Sequence, residues 1–304
     1  MAELRPAGTA RVNLRVAGPV APPSPATSGG SAEAAADDPL GGAGAALRGH
    51  WPEYAIEAGG LACFMLSACL FATLLEHPAS PFRQAVPDPR LRRIAMGLAM
   101  GLTAVALIYS PWGRRSGAHL NPAVTLTFWR LGKVEPWDAL FYALAQFAGG
   151  ITGVGMAAAL LAPVLADPAV HYAVTTPGAA GVAAAFAAEG LIAFLLMSVI
   201  LQVSNRAAVA RLTGLCAGAL VATYIVLEAP LSGMSMNPAR TLGSASQAGV
   251  WTALWVYFAA PPLGMLAAAE LYRWRAGAAG VRCAKLRHDA RHACIFRCGY
   301  RDRS

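Results

Sequence analysis

The sequence predicts an all-α membrane protein with six transmembrane helices plus two half-helices, arranged as two inverted repeats. Three observations predict it. The 304-residue chain is 56% hydrophobic and only 13% charged, about half the charged fraction of an ordinary soluble domain. Its apolar residues are gathered into runs long enough to cross a bilayer. Two short stretches also nearly repeat each other: Gly117-Ala118-His119-Leu120-Asn121-Pro122-Ala123-Val124-Thr125 and Gly233-Met234-Ser235-Met236-Asn237-Pro238-Ala239-Arg240-Thr241.

Taken in order, residues 1–50 are rich in Ala, Pro, Gly and Ser, lack an apolar run and are expected to form a disordered tail. No signal-peptide apolar region is visible in them. Spans are expected at Tyr54–Leu75, Ile94–Tyr109, Trp137–Leu165, Val182–Val203, Leu212–Leu227 and Trp251–Tyr272. Pro122–Arg130 and Pro238–Gln247 are too short to cross and read as half-helices. The membrane region is thus 51–273, with repeat one at 51–165, repeat two at 180–273, and a basic Cys/His-containing tail at 274–304. Each repeat opens with a glutamate-bearing span, through Glu57 and Glu189. An odd number of spans per repeat inverts the second against the first. Such repeats with broken helices place the working site at the bilayer midplane.

The net charge of +8 lies mostly in tails and short loops, so it argues for membrane orientation and not for nucleic acid as a partner. Arg114, Arg115, Arg130, Lys133, Arg206, Arg211 and the basic tail fall on one side. Arg83, Arg90, Arg92 and Arg93 fall on the other. The bias puts both termini in the cytoplasm. The alanine excess and the scarcity of lysine (Lys133, Lys285) read as codon bias, hence a multi-pass protein of a bacterial cell (inner) membrane. Glycines four apart recur at Gly97/Gly101, Gly149/Gly153 and Gly214/Gly218, which predicts close helix packing in lipid.

Proline suits the first turn of a helix, and the preceding asparagine caps it with its carboxamide oxygen. The amide NH₂ is then left as a donor. Asn121-Pro122-Ala123 and Asn237-Pro238-Ala239 would present two donors side by side at mid-membrane. The loops before them are expected to run extended, with the carbonyls of Gly117, Ala118, His119, Gly233, Met234 and Ser235 as a ladder of acceptors. A neutral hydrogen-bonding solute in single file fits such a lining. Two helix N-termini each carry about half a positive charge, and Arg240 adds a full one, so cations and protons meet a barrier. Glu57 and Glu189 are expensive in lipid and read either as a proton relay or as braces for the loops.

The sequence resembles the aquaporin (major intrinsic protein) family over about residues 52–273. The resemblance rests on Gly117–Thr125, on Asn237–Arg240 followed by Thr241, Leu242, Gly243 and Ser244, on Glu57 and Glu189, and on Ala145, Gln146 and Gly149. It implies an aquaporin-like channel domain assembled as a homotetramer with one pore per subunit, in which Glu57 and Glu189 brace the loops. It also implies a four-residue filter: Arg240, Met234, Ile225 and either Gly101 or, with one inserted residue at 111–116, Met100. The aromatic and histidine of water-selective members are missing from these positions. Thr241, Ala245 and Tyr257-Phe258, by contrast, resemble the water-channel subgroup. The expected function is a passive water channel that also leaks small neutral solutes and excludes protons and ions. The alternative is a facilitator for hydrogen peroxide, ammonia, urea or glycerol, with water secondary.

A secondary transporter would need ion-coupling groups at the midplane, which the spans scarcely offer beyond Glu57 and Glu189. No metal triad or nucleophile–base pair in the spans supports an enzyme. His119 is expected to pack beside its loop. Cys283, His288, His292, Cys294 and Cys298 form a tail cluster. Its spacing is not that of a standard finger and its neighbours are basic, so it is expected to hold no metal and to be unligated or redox-sensitive. No cofactor is expected.

Overall fold

Proline starts many of the helices, because its missing N–H falls where the first turn has no acceptor for one. In the computed structural model, which describes residues 39–277, 280–289 and 293–300, α1 is Pro39–Glu76, α2 Pro81–Ala85, α3 Pro89–Tyr109, α4 Pro111–Ser116, α5 Pro122–Arg130 and α6 Pro136–Leu161. The second half follows as α7 Gly181–Ser204, α8 Thr213–Leu227, α9 Ala229–Ser232, α10 Pro238–Ala248 and α11 Leu254–Ala276. Polar side chains sharpen several starts. Asp88 caps α3 through Arg90 N, and Ser110 caps α4 through Gly113 N.

Six of the described helices are long and apolar enough to cross a membrane: α1, α3, α6, α7, α8 with its preceding turn, and α11. Leucines such as Leu98, Leu102, Leu160 and Leu227 stand exposed on their outer faces, as lipid contact requires. α1, α3, α4, α5 and α6 correspond in order to α7, α8, α9, α10 and α11. The half-helices α5 and α10 meet at their N-termini.

Several element ends differ from the sequence reading: α3 begins at Pro89 rather than Ile94, α6 ends at Leu161 rather than Leu165, and α11 is Leu254–Ala276 rather than Trp251–Tyr272. Helix α1 already begins at Pro39, so residues 39–50, expected in the tail, are helical; there Tyr54 Oη donates to Ala46 O, and His50 Nδ1 meets Asp138 Oδ1 at 2.7 Å. Residues 1–38 lie outside the described residues. The stretches before each asparagine are also not simply extended. Ala118, Leu120, Met234 and Met236 have φ between 49° and 54°, in the left-handed region, and the asparagines that follow are extended. Gly117 and Gly233, with φ of 100° and 81°, make the turn from α4 and α9 into these loops.

The glycine pairs mark where backbones touch. A Cβ on Gly101 would sit 2.6 Å from Gly218 O, and one on Gly149 only 2.2 Å from Ala58 O. Replacing Gly101 by Val should therefore cost about 1–3 kcal/mol by overpacking. The thermal midpoint of the purified protein in detergent measures this, and an unshifted midpoint would show that α3 and α8 are not in tight contact.

Candidate pore and its filter

The working site is built from two loops that end at Asn121 and Asn237. Each asparagine is an N-cap: Asn121 Oδ1 accepts from Ala123 N at 2.9 Å, and Asn237 Oδ1 accepts from Ala239 N at 3.0 Å and Arg240 N at 3.3 Å. This fixes the carboxamides, and their NH₂ groups point to the opposite loop. Asn121 Nδ2 donates to Met236 O and Asn237 Nδ2 to Leu120 O, both at 2.7 Å. One hydrogen of each amide thus latches the two repeats together. The amide has a second N–H that this bond does not use. The sequence reading foresaw the donors but not the latch.

A glutamate holds each loop. Glu57 is fully buried, and its carboxylate accepts from Ser116 Oγ at 2.7 Å, His119 N at 3.1 Å, Leu120 N at 2.6 Å and Gln146 Nε2 at 2.8 Å. Glu189 is equally buried and accepts from Ser232 Oγ at 2.6 Å, Ser235 N at 2.7 Å and Met236 N at 2.7 Å. Ser116 and Ser232 in turn accept from Ala118 N and Met234 N, both at 3.1 Å. Tyr142 Oη donates to Ser116 O at 2.7 Å, and Tyr257 Oη to Ser232 O at 2.5 Å. These serines and tyrosines were missed as supports. The repeated Ser-Gly dipeptides Ser116-Gly117 and Ser232-Gly233 were the available signal.

A cavity of about 450 Å³ passes through the site. Pro89 and Ile108 both line it, which spans about 28 Å along α3, close to the thickness of a bilayer's hydrocarbon core. Glu76 and Arg93 stand at one end and Leu286 at the other, with Asn121, Asn237 and Arg240 between. Of the residues read as filter, Met100, Ile225, Met234 and Arg240 lie on the wall. Gly101 is not among the lining residues and packs on Gly218, whereas Met100 lines the cavity. Among the described residues no carboxylate pairs with Arg240, and its Nη1 is buried without a hydrogen-bond partner.

Of the loop residues, Ala118, His119, Gly233, Met234 and Ser235 line the cavity. Gly117 does not, because its carbonyl is taken by Leu286 N of the C-terminal segment at 3.1 Å. The His119 ring is wedged between Phe128 and Phe296, centroids 5.2 and 5.4 Å away, with Nδ1 3.0 Å from Thr125 Oγ1 and Nε2 2.9 Å from Ala284 O.

Replacing Glu189 by Gln keeps the size and introduces an NH₂ where two backbone donors converge. An unsatisfied buried donor costs about 1–3 kcal/mol, so the thermal midpoint in detergent should fall. Glu57→Gln should behave alike, and unchanged midpoints in both would show that the carboxylates do not hold the loops.

Comparison with known proteins agrees with this architecture. The family model for Major intrinsic protein matches residues 55–272. Aquaporin NIP1-3 of Oryza sativa subsp. japonica is 40% identical over 177 residues, covering 58% of this chain and 59% of the relative. Aquaporin NIP2-3 of Zea mays is 37% identical over 189 residues, covering 62% and 60%. The chain therefore spans about three fifths of the length of these relatives. Among solved structures, the aquaglyceroporin from Plasmodium falciparum superposes with a TM-score of 0.61 at 22% identity, covering 73% of this chain and 95% of that one. The chain belongs to the major intrinsic protein family.

Proposed function

We propose that this protein is a passive membrane channel for water that also passes small neutral solutes and excludes protons and ions, and that it is not an enzyme. The carrying observation is the pair of asparagine amides held side by side, each with one hydrogen to spare, on the wall of a membrane-length cavity. A guest that accepts there and donates to loop carbonyls on either side fits a neutral, hydrogen-bonding molecule. The relatives' names, aquaporin and aquaglyceroporin, support the same class.

Charge exclusion follows from three positive features at the centre: the N-termini of α5 and α10, and Arg240, which no described carboxylate neutralises by an ion pair. Met100, Ile225 and Met234 line the same cavity as Arg240 and are apolar. Their lack of donors favours, as a second reading, facilitation of hydrogen peroxide, ammonia, urea or glycerol with water secondary. The site offers too few ion-coupling groups for a secondary transporter. The loop charges support cytoplasmic termini, the alanine-rich, lysine-poor composition supports a bacterial inner membrane, and family resemblance supports a homotetramer.

Vesicles containing the protein should shrink faster than empty ones under an osmotic step, with a low activation energy and no ion gradient. Shrinkage at the empty-vesicle rate overturns the water reading, and parallel runs with glycerol, urea and peroxide decide between the two readings. Arg240→Val should raise proton or cation leak by about tenfold or more, as removing a charge barrier of about 1.4 kcal/mol or more would. Unchanged exclusion in that variant would assign the barrier to the half-helices alone.

A further inference from the structure

Over the described residues after α11, 280–289 and 293–300, the C-terminal segment has little regular structure, yet it is docked firmly. Leu286 N donates to Gly117 O at 3.1 Å, Arg297 N to Lys133 O at 3.0 Å, and Arg282 N to Asn205 Oδ1 at 2.7 Å. Its Leu286 is part of the cavity wall, and Phe296 stacks on His119. An irregular segment of this kind has too small a core to hold itself together, and such segments are commonly stapled by a disulfide or a metal.

Four side chains of metal-ligating type converge inside it. The ligand atoms of Cys283, His288, Cys294 and Cys298 all lie within 4.8 Å of one another. Cys283 Sγ is 3.6 Å from Cys294 Sγ, and Cys298 Sγ is 3.2 Å from His288 Nε2. Zinc at ordinary bond lengths in a tetrahedron needs S···S edges of about 3.8 Å and S···N edges of about 3.6 Å. These two pairs fall a few tenths of an ångström inside those edges and no pair of the four ligand atoms exceeds 4.8 Å, so side-chain adjustments of about an ångström or less bring the set to a zinc tetrahedron. Three residues separate Cys294 from Cys298, a usual spacing for one arm of a zinc site. Lys285 N also points at Cys283 Sγ from 3.5 Å, the type of backbone donor that steadies a thiolate ligand. His292, the other histidine of the sequence cluster, lies outside the described residues.

We propose that Cys283, His288, Cys294 and Cys298 bind one zinc ion, and that this ion fastens the C-terminal segment across the mouth of the cavity beside Gly117. The basic neighbours do not oppose it, contrary to the sequence expectation. Three thiolates and one neutral imidazole around Zn²⁺ carry a net charge of −1, which the neighbouring Lys285 offsets. Binding releases the thiol protons and changes no oxidation state.

The site itself is independent of the permeability reading, whereas its effect on flow rests on it. The full-length protein, purified in detergent, should carry about one zinc per chain. After exchange, Co²⁺ should give the intense thiolate-to-metal absorption and visible bands of a tetrahedral site. Cys298→Ser and His288→Asn should lose or shift these bands while eluting as the wild type does. A metal-free protein whose Co²⁺ titration shows no thiolate bands overturns the proposal, as does a Cys283–Cys294 disulfide that forms in preference to metal under reducing purification. In vesicles, stripping the metal with a chelator should raise osmotic permeability severalfold, and zinc should reverse it. Intact cobalt bands with permeability unmoved by chelation would refute the fastening. Cobalt bands with permeability at the empty-vesicle level in both states would instead refute the channel reading and leave the metal site standing.

Discussion

Backbone that leaves a helix inside a bilayer must find its hydrogen bonds within the protein, since lipid offers none. The loops at 117–120 and 233–236 are such backbone, and two buried carboxylates meet their need. A carboxylate is suited to this because it only accepts and has room for several donors at once. The rest of the site is arranged around that demand. α1 and α7 bring the glutamates, α4 and α9 end on the serines, and α6 and α11 supply tyrosines that hold the serine carbonyls. With the loops held in this way, the two asparagines have a fixed place to stand.

How much of this can be read from sequence depends on range. The half-helices were legible because their cause is local: Asn caps, Pro at the first position, and an apolar run too short to span. Glu57 and Glu189 stood out because charge in an apolar run is rare and because they repeat. The latch between Asn121 and Met236 was not legible, since it joins residues over a hundred positions apart whose meeting depends on the repeats being inverted. The α3 filter position could not be counted from Asn121 because the length of the α4 turn was ambiguous. Packing separates the two candidates: Gly101 is spent on the contact with α8, whereas Met100 lines the cavity. The C-terminal segment was least legible, because neither helical nor strand periodicity runs through it.

The two loops are braced alike but not covered alike. At matching positions they carry His119 and Ser235. Ser235 is short and satisfies itself nearby, with Asn237 O and the Thr241 hydroxyl. His119 bonds Thr125 in the same way, but its ring extends further, to the Ala284 carbonyl and the face of Phe296. This residue difference gives the first loop a docking point that Ser235 does not give the second.

That docking point also sets an order of assembly. The first loop lies early in the chain, while the segment that occupies the Gly117 carbonyl and the His119 ring follows all six spans. During synthesis the first half-helix can be capped and braced by its own repeat, but it meets its last partners only after the second repeat has entered the membrane. The first loop is therefore among the earliest parts of the fold to be made and among the last to be finished.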